Sequence, residues 1–197
     1  GWHLHQSLGK LDGGANAFMP ETDDALLSET GMGFAAGILA HAVEASVFTT
    51  PTVNGYKRYK PNSLAPDRLV WGRDNKGAML RVVCAGPGDG ATRLENRVGE
   101  PAANPYLYLA SQAASGLDGI RSGLEPPPPT DDPYAADADR LPTNLMDAVE
   151  ALDKSAFFRG AFGDRFVDYI VHIKRAEIAR FLSTVTDWEH REYFEMF

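Results

Sequence analysis

The pattern of apolar and polar positions opens with period two in GWHLHQSL. His3, His5 and Ser7 fall on one side, and Trp2, Leu4 and Leu8 on the other. That spacing predicts a strand over residues 1–8, followed by a turn-rich stretch through Asp12, Gly13, Gly14 and Asn16. The period then changes. Ser28 stands as a cap before Phe34, Ile38, Leu39, Ala42 and Val43 at helical spacing, which predicts a helix to about residue 47. Residues 50–66 hold three prolines and read as a loop. Short strands are expected near residues 69–72, 78–83 and 92–98, the last two separated by CAGPGDG. Asn104-Pro105 starts a helix, a capping side chain followed by proline at the first helical position, and EPPPP stops it after about residue 124. Residues 125–142 are rich in Pro and Asp and read as an exposed loop. Thr143 is expected to cap a helix to about residue 153. A last helix over about 164–184 turns Phe166, Ile170, Ile173, Ile178, Phe181 and Leu182 to its apolar face. The sum is an α+β chain, with short antiparallel strands and helices packed against them.

Composition narrows the classes. The chain has 197 residues, 44% of them hydrophobic, enough to bury a core as one domain. Its net charge of −8 argues against nucleic acid as a partner and offers no basic patch to an anionic membrane. The apolar stretch around residues 33–48 is too short, and too broken by His41 and Glu44, to span a bilayer. Cys84 is the only cysteine, so no disulfide framework exists within the chain and a reducing, cytoplasmic setting is expected; Cys84 reads as a small buried hydrophobe. His41 reads as a helix-packing histidine, and His172 and His190 as solvent-facing.

Against that acidic background, local sets of cations stand out. In TRLENRV, Arg93, Glu95 and Arg97 share one strand face while Leu94 and Val98 take the other. Lys57, Arg58, Lys76 and Arg81 form a further cationic set. A carboxylate with an imidazole is a common ligand pair for a divalent metal, and Glu95 and His3 supply one of each. Arginine forks suit carboxylate or phosphate. Each feature alone also has a plain reading. An R-L-E-N-R strand makes a cross-strand ion-pair ladder, and an H-L-H strand makes a polar surface.

The order of the blocks HLHQSL, NGYKRYKP…AP, WGRDNKGAMLR, TRLENR and PAANPYLYLASQAASGLDGI resembles the catalytic domain of the glutamine synthetase family over nearly the whole chain. The resemblance implies an α+β fold in which a curved antiparallel sheet is cradled by helices. It also implies a homo-oligomer of stacked rings, often a dodecamer, and ATP, glutamate and an amine as substrates with Mg²⁺ or Mn²⁺. Carried over residue by residue, His3 and Glu95 match ligands of one metal ion, and His5 and Ser7 line the nucleotide side. Arg58 and Arg97 match the arginines that hold the carboxylates of glutamate. Lys76, Arg81 and Arg93 match positions on the phosphate and nucleotide side, and Arg58 and Arg81 are the catalytic candidates. The implied chemistry has two steps: attack of the glutamate γ-carboxylate on the γ-phosphate of ATP, then displacement of phosphate by an amine.

Two positions depart from the family pattern. Lys76 stands where an arginine is usual, which keeps the charge and loses the bidentate fork. Leu64, in KPNSLAP, stands where ammonia-using members carry a glutamate. An apolar side chain there suits a pocket for an amine with an organic substituent, and points toward relatives that use polyamines, alkylamines or aniline-like amines. The family's β-grasp domain and its glutamate-bearing metal segment precede the H-x-H strand. The chain is therefore expected to be the C-terminal part of the catalytic domain, inactive alone. An ammonia-using glutamine synthetase is the alternative within the class, and a catalytically silent, ring-forming relative is the alternative outside it.

Overall fold

A computed structural model describes residues 1–60, 63 and 65–196. Four short strands, β1 (Leu4–Gln6), β2 (Trp71–Arg73), β3 (Leu80–Val83) and β4 (Arg93–Asn96), form one sheet in the order β1-β4-β3-β2. The expected antiparallel pairing holds for β1 with β4 and for β3 with β4. It fails for β2 and β3, which run parallel, with Trp71 opposite Leu80. The reason is local: after β2 the chain turns through Asp74, whose φ is +50°, and doubles back through residues 75–79 before re-entering the sheet in the same direction. The expected α+β class stands.

One sheet face carries Leu80, Val82 and Leu94 into a core shared with Phe18, Phe34, Ile38 and Trp71. The covering helices are α1 (Glu29–Ala40) and α3 (Pro105–Arg121). Ser28 caps α1 by accepting from Gly31 N, and Asn104 caps α3 with Pro105 in its first turn, both as expected. The predicted single helix over 28–47 is instead two. α2 (Ala42–Thr49) leaves α1 at His41 with a bend of 79°. No single helix among the described residues is long and apolar enough to cross a membrane.

A second core lies under α2, α4 (Leu145–Lys154), α5 (Ala156–Phe162) and α6 (Asp164–Leu182), built from Phe48, Leu152, Phe158, Val167 and Val171. The α4 cap is Asn144 rather than Thr143, accepting from Asp147 N. A break at Ser155 separates α5 from α4, and Ser155 caps α5 by accepting from Phe158 N. On α6, Val167, Ile170 and Val171 are buried, whereas Ile173, Phe181 and Leu182, expected in the core, are exposed. A short α7 (Asp187–Tyr193) follows, held by a capping box between Thr186 and Glu189.

The Pro-rich stretch 125–142 is tied down more than its composition suggests. Trp71 Nε1 donates to Pro127 O, Thr130 N to Trp71 O at 2.9 Å, and Leu141 N to Asp67 O at 2.9 Å. Polar composition reports solvent contact of side chains, not the pairing of the backbone beneath them.

Candidate active site

The polar sheet face is built by register. His5 on β1 and Arg81 on β3 both lie opposite Glu95 on β4, so strand pairing alone sets three ionisable side chains side by side. Glu95 is 2% exposed, and its carboxylate collects the neighbours. His3 Nδ1 and Arg97 Nη1 approach Oε1 at 2.8 and 2.7 Å. Arg81 Nη1 donates to Oε2 at 3.0 Å, and His5 Nε2 lies 3.7 Å from Oε1. A carboxylate this deep is stable as an ion only because cations surround it.

Those neighbours decide its protonation. Burial pushes the Glu95 carboxyl up, but the Arg81 hydrogen bond and the Arg97, His5 and His3 charges outweigh it and hold the group below the usual carboxylate range. His3 moves down, first through burial and then through the Arg97 charge, against the pull of Glu95. A neutral imidazole is the form that can ligate a metal.

Second tethers fix the arginines. Arg81 pairs with Asp74, its Nε donating to Oδ1 at 2.9 Å. Arg97 Nε donates to Lys76 O at 2.9 Å. Lys76 therefore contributes its carbonyl here, while its side chain is exposed. Arg93 Nε donates to His5 Nδ1 at 3.1 Å, joining two expected nucleotide-side residues. Ser7 is exposed, one residue past β1.

Arg58 ends a 3-10 turn, Gly55–Arg58, in the stretch that reads as a loop. Its Nη1 donates to Gly99 O at 2.9 Å. A Cβ built on Gly1 would lie 2.8 Å from Arg58 Nη2 and 3.3 Å from His3 Nε2, so both side chains flank one spot. The structure thus brings His3, His5, Arg58, Arg81, Arg93, Glu95 and Arg97 together. Leu64, the expected amine-pocket residue, lies outside the described residues.

Two participants carry no sequence signal of their role. Asp74 aligns Arg81, and only its place in a D-N-K turn, where Asp tolerates positive φ, hints at its conformation. Glu100, 6% exposed, accepts from Thr52 N at 2.8 Å and Thr52 Oγ1 at 3.0 Å, which pins the loop leading to Arg58. A Cβ on Gly55 would come within 2.6 Å of Glu100 Oε2, so a larger residue there would have to displace the Glu100 side chain that anchors the loop.

Glu95 and His3 are donor types that suit a divalent cation. Among the described residues, no group of three or more His, Cys, Asp or Glu side chains is arranged to hold a metal. The two residues fit as part of a cation site, short of the six oxygen-rich positions that Mg²⁺ demands.

The sequence family described as glutamine synthetase, catalytic domain, matches residues 1–193. The chain belongs to the glutamine synthetase family. It is 49% identical to the gamma-glutamylanilide synthase of an Acinetobacter species, over 100% of this chain and 41% of that protein. The gamma-glutamylethanolamide synthetase of Streptomyces coelicolor is 39% identical over 98% of the chain and 40% of its own length. The glutamine synthetase of Methanococcus maripaludis is 35% identical over 100% of the chain and 45% of its own length. A solved structure titled as a GmaS/ADP complex superposes with a TM-score of 0.85 at 32% identity, covering 98% of this chain and 45% of that one. The chain thus spans less than half the length of these glutamine synthetase relatives.

Proposed function

We propose that the protein containing this chain is an ATP-dependent ligase that joins the γ-carboxylate of glutamate to an organic amine through γ-glutamyl phosphate. The observation that carries the ligase reading is the convergence of His3, Arg81 and Arg97 on the buried carboxylate of Glu95. A ladder of ion pairs at a sheet surface has no need of a carboxylate 2% exposed.

In this reading Arg97 and Arg58 grip the carboxylates of glutamate, which lowers the entropy cost of presenting the γ-carboxylate in line with ATP. A γ-carboxylate oxygen forms a bond to the γ-phosphorus as the bond to the ADP oxygen breaks. Arg81 offsets negative charge on the transferring phosphoryl group, and His5 with Arg93 borders the nucleotide. The amine nitrogen then bonds to the acyl carbon, phosphate leaves, and the amine releases a proton. His3 and Glu95 would hold part of a Mg²⁺ or Mn²⁺ site, with further donors from outside this chain, and the ion would supply positive charge to the phosphates.

The organic amine rests on two supports: the 49% identity to a gamma-glutamylanilide synthase, and Leu64 in place of a glutamate. The match to a glutamine synthetase at 35% keeps ammonia as the second reading. A homo-oligomer, in rings as the family resemblance implies, and a cytoplasmic setting are part of the proposal. Exposed Leu182, Val185, Trp188 and Phe194 suit burial against another subunit, and the lone Cys84 suits a reducing compartment.

The test supplies the full-length protein with ATP, Mg²⁺ or Mn²⁺ and glutamate, and follows ADP release with ammonia, ethylamine, putrescine, spermidine and aniline. Faster release with one of the organic amines supports the proposal, and preference for ammonia rejects it. Leu64→Glu should shift the ratio of rates toward ammonia; an unchanged ratio removes Leu64 from the amine pocket.

A further inference from the structure

We propose that Glu100 is a positioning residue that sets the distance between Arg58 and Arg97, and so fixes how tightly the two arginines hold a dicarboxylate. This rests on the ligase reading above, in which that pair grips glutamate.

Arg58 and Arg97 come from different parts of the fold. Arg97 follows β4 directly and is held by Glu95 and the Lys76 carbonyl. Arg58 closes a 3-10 turn in the loop that leaves α2 after Thr49. The segment just past Arg97 joins them. Val98 O accepts from Thr50 Oγ1 at 3.2 Å, and Gly99 O accepts from Arg58 Nη1 at 2.9 Å. The Glu100 carboxylate accepts from Thr52 N and Oγ1 at 2.8 and 3.0 Å. Val98 and Gly99 offer carbonyls that any residue would supply, whereas at Glu100 the side chain decides the contact. Thr52 passes the restraint on. Its hydroxyl also accepts from Gly55 N at 3.1 Å, and Gly55 opens the turn that Arg58 closes. The turn is packed onto the carboxylate, since a Cβ on Gly55 would meet Glu100 Oε2 at 2.6 Å.

A carboxylate is a demanding side chain for that place. Glu100 is 6% exposed, and among the described residues its carboxylate accepts from Thr52 alone and pairs with no cation. An apolar side chain would fill the space without the desolvation of a charge. What the carboxylate adds is direction: two charge-assisted bonds to one loop residue hold the turn at a set distance from the strand. A substrate with two carboxylates gains from both guanidinium groups only when they stand ready together, so that distance enters its affinity.

The test is steady-state kinetics on the full-length protein, with ATP, Mg²⁺, glutamate and the amine that gives the fastest ADP release. Glu100→Ala should raise KM for glutamate about tenfold, the size of one lost charge-assisted hydrogen bond, and leave KM for ATP within about twofold. Glu100→Gln keeps the length and an oxygen for Thr52 N, so it should recover most of the wild-type KM for glutamate. In an Arg58→Ala background Glu100→Ala should add less than about twofold, because the group it positions is gone. An unchanged KM for glutamate, a matching rise in KM for ATP, or the full effect in the absence of Arg58 overturns the inference and leaves the ligase reading standing. A Glu100→Gln variant no better than Glu100→Ala does the same. Where Glu100→Ala fails to fold, Thr52→Val, which removes the hydroxyl between Glu100 and Gly55, decides by the same comparison of the two KM values. Wild-type protein that releases no ADP with glutamate and any of the amines rejects the ligase reading, and the positioning of glutamate falls with it.

Discussion

Glu95 concentrates the risk of the whole site in one side chain. With Glu95→Ala, Arg97, whose side chain is 7% exposed, loses its only ion-pair partner among the described residues. Breaking a buried pair from one side costs about 3–5 kcal/mol. Urea unfolding should record a loss of that order, and ADP release by the full-length variant should vanish because a proposed metal ligand is gone. Wild-type turnover in a folded variant would remove Glu95 from the chemistry. Alternation in HLHQSL and TRLENRV made His3, His5, Arg93, Glu95 and Arg97 legible as polar strand faces. Asp74 and Glu100 were not legible, since their partners Arg81 and Thr52 are fixed by a turn and a loop anchor with no periodicity.

Among the elements, the contact of α1 with α3 is the tightest constraint. A Cβ on Gly37 would lie 2.0 Å from Ser115 O and 2.7 Å from Gly119 N, and one on Gly119 would lie 2.1 Å from Gly33 O. Backbone atoms cannot step aside as a side-chain tip can. Gly37→Ala should therefore destabilise by about 1–3 kcal/mol despite the better helix propensity of alanine, read as a lower urea midpoint. A rise in the midpoint would show that the helices part without cost.

His41 sets the bend between α1 and α2. Its Nδ1 faces Glu44 at 3.0 Å, its Nε2 faces Asp118 on α3 at 2.8 Å, and its ring stacks on Phe157 at 3.6 Å. Burial lowers its pKa, but the hydrogen bonds to Glu44 and Asp118 outweigh it and the net shift is upward from 6.5. A raised folded value means the imidazolium contributes stability that is fully present below about pH 6.5 and is lost as pH rises through the folded value. Thermal unfolding should show the wild type losing its advantage over His41→Gln from about pH 6.5 upward. A constant difference across that range would rule the charge out. Periodicity ran straight through His41 because the apolar spacing continues on α2, and only the partner on α3 marks the break.

For the whole molecule, the proposed chemistry needs more donors than the chain brings. The described residues hold no group of three metal-binding side chains, and the chain spans 41% of the gamma-glutamylanilide synthase it resembles. The 197-residue chain by itself should therefore release no ADP in a glutamate- and amine-dependent assay, whereas the full-length protein should. Turnover by the isolated chain would show that two donors suffice. The distribution of charge follows the same division: a net −8 overall, with cations gathered on one sheet face.

What the sequence determined by itself was local or periodic. The caps at Ser28 and Asn104, the strand faces, the α+β class and the family pattern all depend on residues within a few positions of one another or on their order along the chain. Tertiary structure decided the rest. It ran β2 parallel to β3, bent the long helix at His41, bound the Pro-rich stretch to Trp71 and moved part of the α6 face into solvent. Above all it set His3, Arg81 and Arg97 on one buried carboxylate. Strand register and packing join positions far apart in the chain, and such pairings are chosen by the free energy of the whole core rather than by any short stretch of residues.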